Sequence, residues 1–81
     1  MIILNGRFSD SNFDKWYFAE NIIHSNLTPK MKEIKLHHGY EGLFHLVPQY
    51  FGMTKMYRNP GGWITYEFTE EQWVWFLLRW S

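Results

Sequence analysis

The sequence predicts a small α+β fold, a single domain over residues 1–81 in which two helices pack on an antiparallel β-sheet. Three observations predict it: a helical spacing of apolar residues at about 12–26, an alternating hairpin at about 53–68, and a capped amphipathic segment at about 70–80. A chain of 81 residues is near the smallest size that one core can stabilise, so the aromatic content of 21% indicates a core of large rings.

The first strand and the first helix come from the opening residues. A short apolar run at residues 2–4 predicts a strand within residues 1–8. Ser11 and Asp14 have the spacing of a capping box, which places the start of a helix near residue 12. The helix is predicted by apolar residues that recur at spacings of three and four: Phe13, Trp16, Tyr17, Ile23 and Leu27.

The segment that follows has two interpretations. Pro29 suits the first position of a second helix. Ile34 and Leu36, however, alternate with polar residues as they would in a strand. The alternation favours a strand, and a strand is predicted here.

Residues 40–51 are left open between a short helix and a strand that ends near Val47, because Pro48 interrupts an apolar stripe of helical spacing. The hairpin that follows is better defined. Two alternating, aromatic-rich runs flank the tetrapeptide Asn-Pro-Gly-Gly at 59–62, whose residues suit a tight reversal.

The last helix is predicted to begin after Thr69, with Gln72 completing a capping box. Its core-facing arc, projected at about 100° per residue, contains Trp73, Phe76, Leu77 and Trp80, with Val74 at its edge.

Trp75 does not fit that arc, because it projects about 200° away from Trp73. Leu78 lies beside it, and Glu71 and Arg79 flank it. One interpretation is that another segment covers this edge, or that the ring lies flat beside the Arg79 stem. The other is that Trp75, Leu78, Glu71 and Arg79 form a surface for a protein partner or a second copy of the chain, since tryptophan rimmed by charge is typical of interface anchors.

A second candidate surface is basic. Its residues interleave cations with an aromatic ring and would form a sheet face able to hold single-stranded RNA or DNA. An alternative interpretation is that solvated lysines guard an exposed strand against edge pairing. The residues are Lys30, Lys32, Lys35, Lys55, Tyr57 and Arg58.

Several function classes are disfavoured by composition. The formal net charge is zero, whereas proteins that bind phosphate backbones carry a positive excess. Cysteine is absent, which excludes disulfides and thiol catalysis. His24, His37, His38 and His45 lack the spacing of a zinc site, and no serine lies in a nucleophile elbow. We therefore expect no enzyme activity, no metal and no cofactor.

The N-terminus has no signal-peptide pattern and no apolar run approaches membrane-spanning length, so the expectation is a cytoplasmic protein without membrane contact. In general character (short, cysteine-free, aromatic-rich, without a catalytic motif) the chain resembles small phage and mobile-element proteins, including anti-CRISPR and host-takeover inhibitors. That resemblance rests on no specific motif. It implies a non-catalytic protein that inhibits a macromolecular partner by occlusion, in the host cytoplasm; the alternatives are a single-stranded RNA- or DNA-binding module and, third, a minor enzyme or metal-binding role.

Overall fold

A computed structural model of the chain describes residues 1–80 as a three-stranded antiparallel sheet with four α-helices, which confirms the predicted α+β fold. In chain order the elements are β1 (Ile2–Asn5), α1 (Phe13–Ser25), α2 (Pro29–His38), a 3₁₀ turn (Tyr40–Leu43), α3 (Leu46–Phe51), β2 (Lys55–Arg58), β3 (Ile64–Phe68) and α4 (Glu70–Trp80). The helices α2 and α3 are additional to the two that were predicted. No helix among these residues has the length and apolar character needed to cross a membrane.

The sheet has the order β1-β3-β2, and both neighbouring pairs are antiparallel. The predicted hairpin is confirmed as β2 and β3. In its turn the Gly62 N–H donates to the Asn59 carbonyl at 2.8 Å, and the Asn59 N–H donates to the Trp63 carbonyl at 2.9 Å. Gly62 has a φ of 92°, a left-handed conformation that glycine adopts without steric cost. The Asn-Pro-Gly-Gly segment therefore reverses the chain, as predicted, because a glycine supplies the backbone conformation that the turn needs.

The sheet has one face that the helices bury and one open face, which is at least partly exposed except at the central Thr65. The register aligns Leu4 and Met56 with Tyr66, and all three are buried in the core that the helices complete. The next row across the sheet aligns Ile3 and Lys55 with Glu67 on the opposite face. Lys55 is exposed there, and Ile3 is 45% exposed. The helices thus pack on one face, as an antiparallel sheet with one solvated side allows.

Helix α1 is confirmed, but its predicted cap is wrong. The helix begins at Phe13 after Asn12, and no side chain caps it. The Asp10 carboxylate instead accepts a hydrogen bond from the Asn12 N–H at 2.9 Å. Ala19 and Ile23 are the buried residues of α1. Apolar spacing therefore located the helix correctly, while the choice of capping residue depended on the loop before it.

The strand predicted for the segment after Pro29 is wrong, because this segment is helix α2. Thr28 is its N-cap and accepts a hydrogen bond from the Met31 N–H at 3.2 Å, with Pro29 in the first turn. Met31 is buried and Ile34 packs against the core, a spacing of three, whereas Leu36 is 81% exposed. The strand interpretation required burial of Leu36 with Ile34, and tertiary packing buries a helical face instead.

Residues 40–51 form a 3₁₀ turn and then α3, which continues to Phe51. The prediction that an element ends near Val47 is therefore wrong. Pro48 is the third residue of α3. The first four N–H groups of an α-helix have no intrahelical acceptor, so the missing N–H of proline removes nothing there. Gly52, with φ 76° and ψ 44°, ends the helix in the left-handed conformation and turns the chain into β2. Proline here marks the start of a helix.

Candidate protein-binding surface

The start of α4 is defined by a reciprocal cap, as predicted. The Gln72 N–H donates to the Thr69 hydroxyl oxygen at 3.0 Å, and the Thr69 N–H donates to the Gln72 side-chain oxygen at 2.9 Å. The Thr54 hydroxyl also donates to that oxygen, at 2.6 Å, which ties the helix start to the residue before β2. Glu70 and Glu71 occupy the first turn, where the helix dipole favours negative charge. These polar contacts therefore fix the start of α4 independently of its apolar residues.

The inner face of α4 packs into a cluster of aromatic rings. Phe76 is buried, and Trp73 and Trp80 pack against the core, as the projection predicted. Phe68 lies 5.0 Å from Trp73 and 5.1 Å from Phe76 between ring centroids, in edge-on geometry, and Phe51 lies 4.8 Å from Trp80. Offset and edge-on ring pairs are the favourable arrangements for aromatic side chains. This inner face accounts for the packing of α4.

The outer face of α4 is apolar and exposed. Trp75 is 63% exposed, Leu78 is 72% exposed and Val74 is 53% exposed. The prediction that Trp75 projects away from the core is confirmed, and residues 1–80 leave the ring uncovered. Val74 was assigned to the edge of the core; its projection, near that of Leu78, is the signal that would have placed it outside. We define the α4 outer face as Glu71, Val74, Trp75, Leu78 and Arg79.

The two ends of this face carry opposite charges. Glu71 and Arg79 are both exposed, and neither forms an ion pair within residues 1–80. They are eight residues apart, which corresponds to about 12 Å along the helix axis. The Arg79 guanidinium lies 5.1 Å from the centroid of the Trp80 ring, so it stacks there while its N–H groups remain available to a partner.

A shallow cleft of about 240 Å³ extends the α4 outer face toward α3. Trp75 and Arg79 line it from α4, and Tyr50 lines it from α3. The Tyr50 ring lies 5.6 Å from that of Trp80. Sequence spacing could not assign Tyr50 to this surface, because it belongs to another element that only the tertiary fold brings alongside.

The structure divides the residues of the predicted basic face. Three of the lysines, Lys30, Lys32 and Lys35, lie on helix α2 and not on a strand. Lys55 and Tyr57 share the open face of the sheet, with the Lys55 ammonium 4.6 Å from the Tyr57 ring centroid.

Arg58, the remaining residue of that set, points to the other face of the sheet. Its Nε donates to the Glu41 carboxylate at 2.6 Å, and its Nη1 donates to the Gly62 carbonyl at 2.9 Å. The hydrogen bond from Arg58 holds the pKa of the Glu41 carboxyl below its usual value. Arg58 is therefore already engaged by a carboxylate of the same chain.

A polar junction, which we define as Glu20, His24, Lys35 and Tyr40, joins α1, α2 and the 3₁₀ turn. The Tyr40 hydroxyl donates to Glu20 at 3.0 Å, His24 Nε2 lies 2.7 Å from the same oxygen, and the Lys35 ammonium lies 3.2 Å from His24 Nδ1. An ammonium has only donors, so His24 Nδ1 is the acceptor of the contact with Lys35, and Nε2 is the nitrogen that donates to Glu20. The pKa of Tyr40 is raised to about 12, mainly by burial of the phenol and also by the negative charge of Glu20.

The histidines considered for a zinc site do not converge. His24 belongs to the polar junction, whereas His37 and His38 end α2 and His45 precedes α3. Within residues 1–80, no three histidine, aspartate or glutamate side chains come together in an arrangement that would hold a metal ion.

Comparison of the chain with known protein families, with characterised proteins and with solved structures gave no match. Function is therefore inferred from the surface of the molecule. The α4 outer face brings three exposed apolar side chains, Val74, Trp75 and Leu78, together on one helix with a reciprocal cap.

Proposed function

We propose that this protein is a non-catalytic protein-binding module that docks through the α4 outer face. The observation that carries the proposal is the exposure of Trp75, Leu78 and Val74 on a helix whose opposite side already supplies its packing. A large apolar side chain in water is unfavourable, and a cluster of them rimmed by charge is typical of a protein interface. Folding alone does not require these side chains.

The partner that fits is a protein with an apolar groove that receives one face of a helix. Trp75 and Leu78 are the anchors, and the opposite charges at Glu71 and Arg79 favour a groove with a cation at one end and an anion at the other. Because these charges lie at the two ends of the surface, they also define the direction in which α4 enters the groove. Charge reversal at one end is expected to reduce selectivity for that direction.

In its narrower form the proposal is an inhibitor of the phage or mobile-element kind, which occupies a host protein and blocks it by occlusion in the host cytoplasm. The support is the general character of the chain, namely 81 residues, no cysteine and 21% aromatic residues. A domain of this size inhibits most directly by covering a surface that another molecule needs.

The test uses a photo-crosslinking residue at position 75, with the same residue at position 36 as the matched control. Leu36 is also an exposed apolar residue on a helix, but it lies on α2. We expect a crosslinked protein partner from position 75 and not from position 36. Trp75→Ala is expected to leave the free energy of unfolding within about 0.5 kcal/mol of wild type and to weaken binding by about 2 kcal/mol or more, roughly thirtyfold.

Two results would contradict the proposal. Unfolding of Trp75→Ala would assign the ring to the core, and equal crosslinking from positions 75 and 36 would indicate nonspecific contact. A crosslink only between two copies of the chain, with a sedimentation mass that halves in Trp75→Ala, would identify the surface as a homodimer interface.

The alternative function, binding of single-stranded RNA or DNA, is favoured by one observation, the Lys55 ammonium beside the Tyr57 ring on the open face of the sheet. Charge reversal at Lys32 and Lys35 tests the basic residues of α2, and Lys55→Glu tests the sheet face separately, because the α2 lysines lie on a different element. Retention on single-stranded RNA that falls steeply with salt and is lost in Lys55→Glu would support this function. No retention at low salt would exclude it.

A further inference from the structure

An open cleft of about 470 Å³ lies between the end of α1 and the side of α2, away from the α4 outer face. The side chains that line it are His24, Leu27, Lys32, Lys35 and Leu36. Leu27 is buried, whereas Leu36 is 81% exposed. Small-molecule sites in proteins have volumes of about 300–1,000 Å³, so this α1–α2 cleft is large enough for such a ligand.

The α1–α2 cleft has two cations without a counter-ion. Lys32 and Lys35 line it, and no carboxylate of residues 1–80 does. Neither lysine forms an ion pair with a carboxylate within those residues. Glu20 contacts Nε2 of His24, on the other side of the imidazole ring from Lys35, and Glu33 lines a different cleft on α2. The charge of the cleft is therefore complementary to an anion.

Lys35 is held in place by the polar junction that borders the cleft. Its ammonium lies 3.2 Å from His24 Nδ1 and 5.2 Å from the centroid of the Tyr40 ring. The contact with His24 occupies one of the three N–H donors of the ammonium, and Nδ1 carries no negative charge. Lys35 therefore keeps its charge and two donors for a ligand. Because the side chain is already ordered, binding costs less conformational entropy than it would at a free lysine.

The cations and the apolar lining lie close together on α2. Lys32, Lys35 and Leu36 fall within an arc of about 100° when the helix is projected at about 100° per residue. Leu36 lies about 6 Å along the helix axis from Lys32 and about 1.5 Å from Lys35. Buried Leu27 extends this apolar surface from the end of α1. A ligand whose charged group contacts both lysines therefore has apolar side chains directly beside that group.

We propose that the α1–α2 cleft binds a small anionic amphiphile, a molecule that carries one carboxylate or phosphate group on an apolar chain. The anionic group accepts hydrogen bonds from the ammonium groups of Lys32 and Lys35, and the chain packs against Leu27 and Leu36. A small molecule is the occupant because five side chains line the cleft, whereas a protein interface takes about 20–30 residues from each partner. This inference does not rest on the docking role of the α4 outer face.

The test is a titration of the isotope-labelled intact protein with octanoate, followed by amide chemical shifts in NMR spectra. We expect saturable shifts within residues 24–36. Three compounds are each expected to bind there about tenfold or more weakly: acetate, which has the charge without the chain, octan-1-ol, which has the chain without the charge, and octylammonium, which reverses the charge. Octyl phosphate distinguishes the two anionic groups, and tighter binding of either anion supports the inference.

Two matched pairs of variants locate the site. Lys32→Gln is expected to lower the affinity for octanoate about threefold to fivefold, and Lys30→Gln, the same change elsewhere on α2, to leave it within about twofold. Leu36→Asn is expected to lower the affinity about fivefold, and Leu78→Asn, the same change on the α4 outer face, to leave it within about twofold. All four side chains are exposed, so these variants fold.

Three outcomes of the titration would overturn the inference. They are the absence of saturable shifts within residues 24–36, equal binding of octan-1-ol and octanoate, and equal losses in Lys32→Gln and Lys30→Gln. Shifts at these residues from single-stranded RNA and not from octanoate would also overturn it, and would assign the lysines to nucleic acid. Retention on phosphatidylglycerol vesicles without binding of octanoate would likewise overturn it, and would assign this side of α2 to a lipid surface.

Discussion

The aromatic cluster beneath α4 and the polar junction at Tyr40 are stabilised in different ways. Beneath α4, Phe68 and Phe76 are wholly or almost wholly buried and contact other rings. At the junction, Tyr40 is only partly buried and is held by hydrogen bonds to titratable side chains. The first arrangement depends on removing apolar area from water, which pH does not change. The second depends on protonation states, so the two regions are expected to respond differently to substitution and to pH.

The largest effect is expected at Trp73. Trp73→Ala removes a ring that contacts Phe68 at 5.0 Å and Phe76 at 5.7 Å between centroids. We expect a loss of about 3–5 kcal/mol in the free energy of unfolding, measured by denaturant titration, and the same loss from pH 6 to pH 9. Trp75→Ala is the control, since it deletes the same side chain from the other face of the helix. Wild-type stability in Trp73→Ala would mean that the inner face of α4 is misassigned.

A smaller effect is expected at Tyr40. Tyr40→Phe keeps the ring but removes the hydroxyl that donates to Glu20 at 3.0 Å. Hydrogen bonds to charged groups contribute about 1.5–3 kcal/mol, and His24 still donates to that carboxylate, so we expect a loss near the low end, about 1.5 kcal/mol. Thermal and urea unfolding at pH 7 measure it. A loss as large as that of Trp73→Ala would contradict the division between the two regions.

The cap of α4 is expected to contribute still less. Thr69→Ala removes the oxygen that accepts from the Gln72 N–H, at a cost of about 1 kcal/mol. Thr28→Ala, at the start of α2, is expected to cost a similar amount. Ser11→Ala is the control, because the capping box predicted at Ser11 does not form, and urea titration should show no change for it. A loss of stability in Ser11→Ala would show that the Ser11 side chain does cap α1.

The smallest effect is a difference in alkaline stability. The pKa of Tyr40 is raised to about 12 in the folded protein, so the folded state retains the phenol proton while the unfolded state loses it near pH 10. The contribution of the Tyr40 phenol to the free energy of unfolding is therefore complete below pH 10, and it is lost as the pH rises to about 12. We expect a shallower decline in this range for Tyr40→Phe. Burial also raises the pKa of Tyr66, so part of the decline remains.

Thr69→Ala provides the comparison for the alkaline experiment, because it is expected to lower stability by the same amount at every pH. Unfolding curves in urea at pH 8 to 12 measure both variants. Parallel curves for Tyr40→Phe and wild type would show that the phenol proton does not distinguish the folded from the unfolded state.

The predictions that succeeded were those that depend on neighbours in the chain. The cap between Thr69 and Gln72, the inner arc of α4 and the outward position of Trp75 follow from helical geometry alone. The hairpin follows from residues 59–62 in the same way.

The errors occurred where two local patterns competed. Residues 29–38 carry both a helix start at Thr28-Pro29 and an alternation at Ile34 and Leu36. Packing of Met31 and Ile34 into the core decided between them, and Leu36 was left in water. Pro48 was interpreted as the end of an element, although the same residue is compatible with the first turn of one.

The sequence by itself determined which residues of α4 face away from its core side, because the period of a helix relates residues that are close in the chain. Only the tertiary structure decided what lies beside them. Tyr50 joins the α4 outer face from α3, and Tyr40 donates to Glu20, which is twenty positions earlier in the chain. These juxtapositions arise because the protein buries its apolar side chains collectively, and that process brings together residues that no local pattern relates.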